Sequence, residues 1–472
     1  MSENSQEEQL LDKGKKKIDE KVKEKKKSKS DLKILEWRFN QLLGEKLTYE
    51  QIKEDPENES FLVTDIKFSQ DGQNVVVADK GGRVIIFKRI KEKEKGLPKL
   101  LYFYEYSAQE HDFDSHKSLE YSEEIKGLQI LPSSNNKKLD ILTAGYRIIK
   151  LERIYEDIIP EFDTNSEIPK YISSKSEIRI KNKKKFCNYN NSEDINSLSL
   201  NTDNPANFIS SDDFRVYLWD INRIEKDLYT PIDIEPDEEN IFQEKITKSA
   251  YLDYNPHIFI YGTNKGNINV CDLRTSSDRL KFETSYKDIK NVKNDMTSIV
   301  SNSILCIHDI CSSLNNKYSF ATRNYLSIYL WDIRKQNEPQ SKFILYEPII
   351  NKLSFLYQNN YINDKFSISS DKSGQFLLTG GYNNMFHIID TEQRLNTQII
   401  IDDSDEKLMN ANIIRKINKN GSCFYKKDDI HAFNLNFSKR IQHQAFSPIE
   451  NYSLMIVNNC IYSYSGNIAK KK

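Results

Sequence analysis

Cysteine is scarce in this 472-residue chain: the six present (Cys187, Cys271, Cys306, Cys311, Cys423 and Cys460) form no Cys-x-x-Cys pair. That excludes both a disulfide framework dense enough to staple so long a chain and the paired spacing of a zinc site, so free thiols in a reducing compartment are expected. Net charge is almost absent as well, formally −1 from 69 basic and 70 acidic residues. A continuous basic face of the kind that coats nucleic acid or anionic membrane is thereby excluded. No apolar run approaches the roughly 20 residues that cross a bilayer, and the N-terminus is charged where a secretory signal is apolar. The expectation is a soluble, intracellular protein with no nucleic-acid partner and no membrane insertion, cytoplasmic with the nucleus as a second compartment. Missing too are a P-loop, a Rossmann glycine pattern and a nucleophile constellation, so no catalytic residue, cofactor site or metal site is nominated.

What is present is aromatic. The chain is 38% hydrophobic and 29% charged, yet it carries 26 Tyr and 23 Phe to fill a core. That favours an aromatic-rich β protein with polar insertions over a disordered chain. Residues 1–31 are lysine-rich and lack aromatics, so they bury too little surface to offset their ordering entropy and read as a tail. A short amphipathic stretch, Leu32 to Phe39, is apolar enough to dock on the folded body of the chain. The remainder, 32–466, reads as one folded domain.

From Phe61 onward the chain repeats itself. Each unit pairs an alternating strand with a turn, a second strand ending in small residues, another polar turn, and a third strand closing on an aromatic or apolar residue and often Asp. The first unit runs Asp65-Ile66-Lys67-Phe68-Ser69, then Asn74-Val75-Val76-Val77-Ala78-Asp79, then Arg83-Val84-Ile85-Ile86-Phe87. Later units close on Val216-Tyr217-Leu218-Trp219-Asp220, Ile268-Asn269-Val270-Cys271-Asp272, Ile328-Tyr329-Leu330-Trp331-Asp332 and Phe386-His387-Ile388-Ile389-Asp390. Two weaker units, Ile141 to Leu151 and Gln444 to Tyr462, bring the total to about seven, within the range that closes a propeller of four-stranded blades. The fold class is therefore all-β, a seven-bladed WD-repeat propeller with long inter-strand insertions. The insertions fall at Glu152 to Lys185, Thr275 to Val300 and Asp402 to Asp429.

Trp219 and Trp331 are assigned to the core, because burying an indole removes roughly 150 to 250 Å² from water, about 4 to 6 kcal/mol. Asp71-Gly72, Gly81-Gly82, Lys265-Gly266 and Ser373-Gly374 supply turns. His111 and His116 bracket two aspartates, but their spacing does not place both on one face of a strand, and an ordinary loop is the better reading.

Several strings go beyond a generic propeller. Asp79 to Phe87, His116 to Glu120 with Glu123-Glu124-Ile125 after it, Ser210 to Trp219, Lys265 to Arg274, Asp364-Lys365-Phe366 and Thr379 to Phe386 together resemble the WD-repeat B class (55 kDa type) of regulatory subunits of protein phosphatase type 2A. They occur in the family's order. Departures exist: Leu151-Glu152 stands where the family usually has Leu-Trp, Asn188 to Asp194 replaces a His-containing stretch, and Asn324 sits where Asp is usual.

The resemblance implies a non-catalytic, substrate-selecting role within a heterotrimer. Its implied partners are the helical-repeat scaffold and catalytic subunits of protein phosphatase type 2A, together with phosphoprotein substrates. It implies substrate recognition by Lys80, Glu120, Glu123, Glu124, Asp212, Asp213 and Lys365 on one face. The insertion 152–185 is implied to form an arm toward the scaffold, with Ile168, Tyr171, Ile172 and Lys183 as contacts; taken by itself that segment also reads as a loop. A generic WD-repeat adaptor in another assembly is the alternative function. A propeller hydrolase is a third class, for which no residue is nominated.

Overall fold

The computed structural model describes residues 35–44, 51–52, 55–91, 98–108, 111–114, 119–133, 138–163, 170–187, 194–223, 229–235, 243–275, 279–283, 303–335, 338–345, 353–392, 394–401, 412–416 and 437–468. The chain divides into two units, Phe39–Ser465 and a second one joining Met1–Arg38 with Gly466–Lys472. The larger unit is the seven-bladed propeller. Blade one comprises Val63–Phe68, Asn74–Asp79, Arg83–Lys91 and Pro98–Ser107, hydrogen-bonded in that order from the centre outward. Blades two to six repeat the plan, beginning at the inner strands Gly127–Leu131, Ser197–Leu200, Ile246–Leu252, Asp309–Cys311 and Ile368–Ser370. In blade seven, Ile441–Phe446, Tyr452–Val457 and Cys460–Ile468 are joined at the outer edge by Leu35–Leu43. The stretch that begins at Leu32 in the sequence therefore supplies a strand. Within the propeller unit, Phe39 packs on Tyr462 and Tyr464, with ring centroids 6.5 and 5.8 Å apart.

Inner strands pack against their neighbours around the whole ring, blade seven against blade one included. Polar side chains stitch them. Asp65 accepts from the Leu128 amide at 3.2 Å, Ser197 from the Ser249 amide at 2.9 Å, and Asp309 from the Ile368 amide at 2.8 Å. Ring closure adds an ion pair between the buried Arg89 and Glu450, and Gln41, whose side chain both donates to and accepts from the Leu100 backbone. Between blades lie apolar layers: Ile66, Val75 and Val77 meet Tyr452, Leu454 and Ile456, while Ile260 and Ile268 meet Phe320 and Trp331. Blade six approaches blade seven so closely that a Cβ on Gly380 would lie 2.1 Å from the Ile441 carbonyl oxygen, and only glycine fits there.

Three features depart from the sequence expectations. The insertion after Leu151 is no loop: Ile148–Asp163 and Lys170–Cys187 form one long antiparallel hairpin continuous with blade two. On its outer strand Ile178 and Ile180 fall on one face and pack against the layer between blades one and two. Arg279–Glu283 and Asn412–Lys416 turn parts of the other two insertions into strands, the latter a fifth strand on blade six. His111–Asp114 pairs with Leu119–Ser122 as a two-stranded hairpin where a loop was expected, and His116 lies outside the described residues. The expected turns hold: Gly72, Gly82, Gly266 and Gly374 all have positive φ.

Candidate functional site

Antiparallel strands alternate direction, so the turns between second and third strands share one rim of the propeller with the blade-to-blade connections. Residues near Lys80, Asp213 and Lys365 fall on that rim, as do Glu123 and Glu124. The rim gathers charge because its turns need side-chain acceptors, and the repeat shows which charges serve the turn.

The second strand of blades one, three and five ends at equivalent positions on Asp79, Asp212 and Asn324. Each folds its side chain back onto the turn. Asp79 accepts from the Arg83 amide at 2.8 Å, and Asn324 from Leu326 and Ser327 at 3.1 and 2.7 Å. Asp212 accepts from the Phe214 and Arg215 amides at 2.8 and 2.6 Å and from the Tyr217 hydroxyl at 2.9 Å. Both aspartates are buried, Asp212 only 3% exposed. Burial pushes the Asp79 carboxyl above its ordinary range, against the pull of Arg83. The oxygens of Asp212 thus hold the turn. The signal was in the sequence, since one repeat position carries Asp, Asp and Asn.

Asp213 behaves differently. Its side chain is 20% exposed, paired with Lys245 at 2.5 Å and accepting from Asn196 Nδ2 at 2.7 Å. Lys126 and Asp194 bridge neighbouring connections at 2.9 Å, with the Lys126 ammonium 4.4 Å from the Tyr146 ring centroid. Glu123 and Glu124 are half-buried, just ahead of the inner strand of blade two. Glu120 lies in the strand Leu119–Ser122, opposite Phe113. Lys80 pairs with Glu59 of the short helix Pro56–Ser60, while its amide donates to the Leu62 carbonyl at 2.8 Å. Lys365 is exposed beside buried Asp364, which is held by Arg440 at 2.5 Å and by the Tyr382 hydroxyl at 2.9 Å. Sequence reasoning missed Lys126, Asp194, Asn196 and Lys245, whose significance rests on partners far away in the chain.

Exposed pairs contribute only about 0.2 to 1 kcal/mol each, so parting the half-exposed Lys245 from Asp213 costs little. Parting Asp212 from its partners would strand two backbone donors and a tyrosine hydroxyl, which costs more. Among the described residues no group of three or more His, Cys, Asp or Glu side chains is placed to hold a metal ion.

The scaffold-contact candidates divide likewise. Tyr171, Ile172 and Lys183 lie on the outer strand Lys170–Cys187 of the blade-two hairpin, and Ile168 falls outside the described residues. The hairpin carries Asp157 and Arg179 as a half-exposed pair at 3.4 Å, and Arg153 with Asp140 at 2.6 Å near its root.

No family model matches the chain. It is 28% identical over 490 aligned residues to the serine/threonine-protein phosphatase 2A regulatory subunit phr2AB of Dictyostelium discoideum, an alignment covering 91% of this chain and 98% of that protein.

Proposed function

We propose, on the premise that this chain is a homologue of the B-class regulatory subunits of protein phosphatase 2A, that it selects substrates for a heterotrimeric phosphatase. In this reading it binds the helical-repeat scaffold and catalytic subunits, and contributes no catalytic group of its own. The observation that carries it is colinear similarity over nearly the full length of both chains. Selection then works by effective concentration: a target held on the rim presents its phosphorylated residue repeatedly to the neighbouring catalytic subunit.

Asp213, Glu123 and Glu124 are the groups suited to read basic flanking residues, Asp213 because its own partner Lys245 is half-exposed and exchangeable. Lys80 at blade one and Lys365 ahead of blade six are the rim sites for acidic groups, and the blade-two hairpin is the arm toward the scaffold. A tenfold preference needs about 1.4 kcal/mol, more than one exposed pair supplies, so the acidic groups act together.

The test uses the assembled trimer and phosphopeptides with basic or acidic flanks. Adding the chain to the scaffold–catalytic pair is expected to raise the rate on basic-flanked peptides. The triple variant E123K/E124K/D213K is expected to lose that preference about tenfold or more while staying in the complex. A preference unchanged by the triple variant contradicts the assignment of the rim.

A further inference from the structure

In blades three and five the third strand places tryptophan opposite phenylalanine of the second strand: Trp219 across from Phe208, Trp331 across from Phe320. Each indole N–H donates to a hydroxyl two residues further along that second strand, Trp219 to Ser210 Oγ and Trp331 to Thr322 Oγ1, both at 2.8 Å. The same register in blade two puts Glu152 across from Ile141 and Thr143 two residues on. A carboxyl group therefore occupies the indole slot, beside the hydroxyl that an indole would satisfy.

Glu152 is 3% exposed and Thr143 wholly buried, in the face turned toward Tyr106 of blade one, itself 9% exposed. The Thr143 hydroxyl has no hydrogen-bond partner among the described residues, and the Glu152 carboxyl faces the Tyr106 hydroxyl. The slot also lies at a structural joint. Pairing between the two strands of the hairpin slips between Leu151 and Glu152, leaving Lys183 as the extra residue of a β-bulge where the hairpin leaves the propeller.

We propose that Glu152 is a proton-operated latch at the root of the hairpin: as a neutral acid it closes the slot between blades one and two, and on ionising it loosens that joint. A neutral carboxyl supplies the hydrogen-bond donor that the indole supplies in blades three and five. A carboxylate brings a buried charge into a layer of Ile125, Ile141 and Ile154. The charged and titratable groups facing Glu152 are few. Lys150 shares its strand and face but donates its ammonium to the Ala108 carbonyl at 2.8 Å, Lys185 reaches it from the outer hairpin strand, and blade one presents Tyr106 with Tyr104 behind it. Arg153 and Asp140 pair with each other one residue away.

Burial outweighs the pull of Tyr106, Lys150 and Lys185, and raises the Glu152 carboxyl from 4.5 to about 7. The folded chain then keeps a proton that the unfolded chain releases. Stability from this group is fully present below 4.5, is lost as pH rises toward 7, and stays at its lower level above that. His308 and His387, buried with lowered proton affinity, contribute the opposite slope below about 6.5. The difference between the natural chain and a Glu152 variant isolates the latch.

This inference does not depend on the phosphatase reading, and its test needs only the isolated chain. Thermal unfolding and amide exchange across residues 148–187 are followed from pH 5 to 8.5 for the natural chain, Glu152→Gln and Glu152→Trp. Relative to Glu152→Gln, the folded-to-unfolded ratio of the natural chain is expected to fall by up to about tenfold per pH unit between 5 and 7, then level off. Exchange at the hairpin root, corrected for its intrinsic pH dependence, is expected to quicken over the same range in the natural chain alone. Glu152→Trp, with its indole aimed at Thr143, is expected to be pH-independent in both readouts. If Glu152→Gln follows the natural chain at every pH, the latch is overturned, whether or not the Trp variant folds.

Discussion

Blades two and five are built on one register and differ at one slot. In blade five Trp331 is 1% exposed, stacks beside Phe320 and Tyr329, and gives its N–H to Thr322. In blade two the slot holds Glu152, and the hydroxyl equivalent to that of Thr322 is left without a partner among the described residues. Both slots are sealed from water, so the difference lies in what fills them: a large apolar ring with one satisfied donor, against a carboxyl whose fit depends on its proton. The blade carrying the carboxyl also carries the long hairpin.

Trp331→Ala is expected to cost about 3 to 5 kcal/mol, read as a loss of thermal stability, because it empties a slot between blades four and five. Glu152→Ala at pH 8 removes far less apolar contact and relieves a buried charge, so it should cost much less; equal losses would contradict the contrast. The hydroxyls sharpen the picture. Thr322→Val strands the Trp331 N–H and is expected to cost about 1 to 3 kcal/mol. Thr143→Val removes a hydroxyl that bonds to none of the described residues, and at pH 8 is expected to stay within about 0.5 kcal/mol of the natural chain by denaturant unfolding.

Much of the propeller was legible. The third strands announce themselves through Val216 to Asp220 and Ile328 to Asp332, where apolar residues run together because both faces are buried. The outer strands were not. Pro98–Ser107 has buried and exposed residues interleaved, with Leu101 and Tyr102 half-open to solvent, so its composition resembles a polar connection. Leu35–Leu43 belongs to the blade that ends the chain, a pairing between residues more than 400 positions apart that local patterning does not reveal. Trp219, assigned to the core, is only partly buried, resting on Phe186 and Phe208.

The rim was legible as an acidic region but not residue by residue. Asp212 and Asp213 are neighbours of one type, yet one caps its own turn and the other faces Lys245 across a blade boundary. Their division follows from the turn at the end of the second strand, visible only once Asp79, Asp212 and Asn324 are aligned as one position. Glu152 stands out in the sequence as a departure from Leu-Trp. Its meaning rests on Thr143 and Tyr106, which the fold brings to it from a neighbouring strand and a neighbouring blade.

Membership of a protein phosphatase 2A assembly, as its regulatory subunit, is the property on which this propeller's role rests. Its most direct test is size-exclusion chromatography of the purified chain with the scaffold and catalytic subunits at low salt. All three are expected to co-elute as one stoichiometric species, earlier than the scaffold–catalytic pair. Elution of the chain by itself, with that pair unshifted, would contradict it.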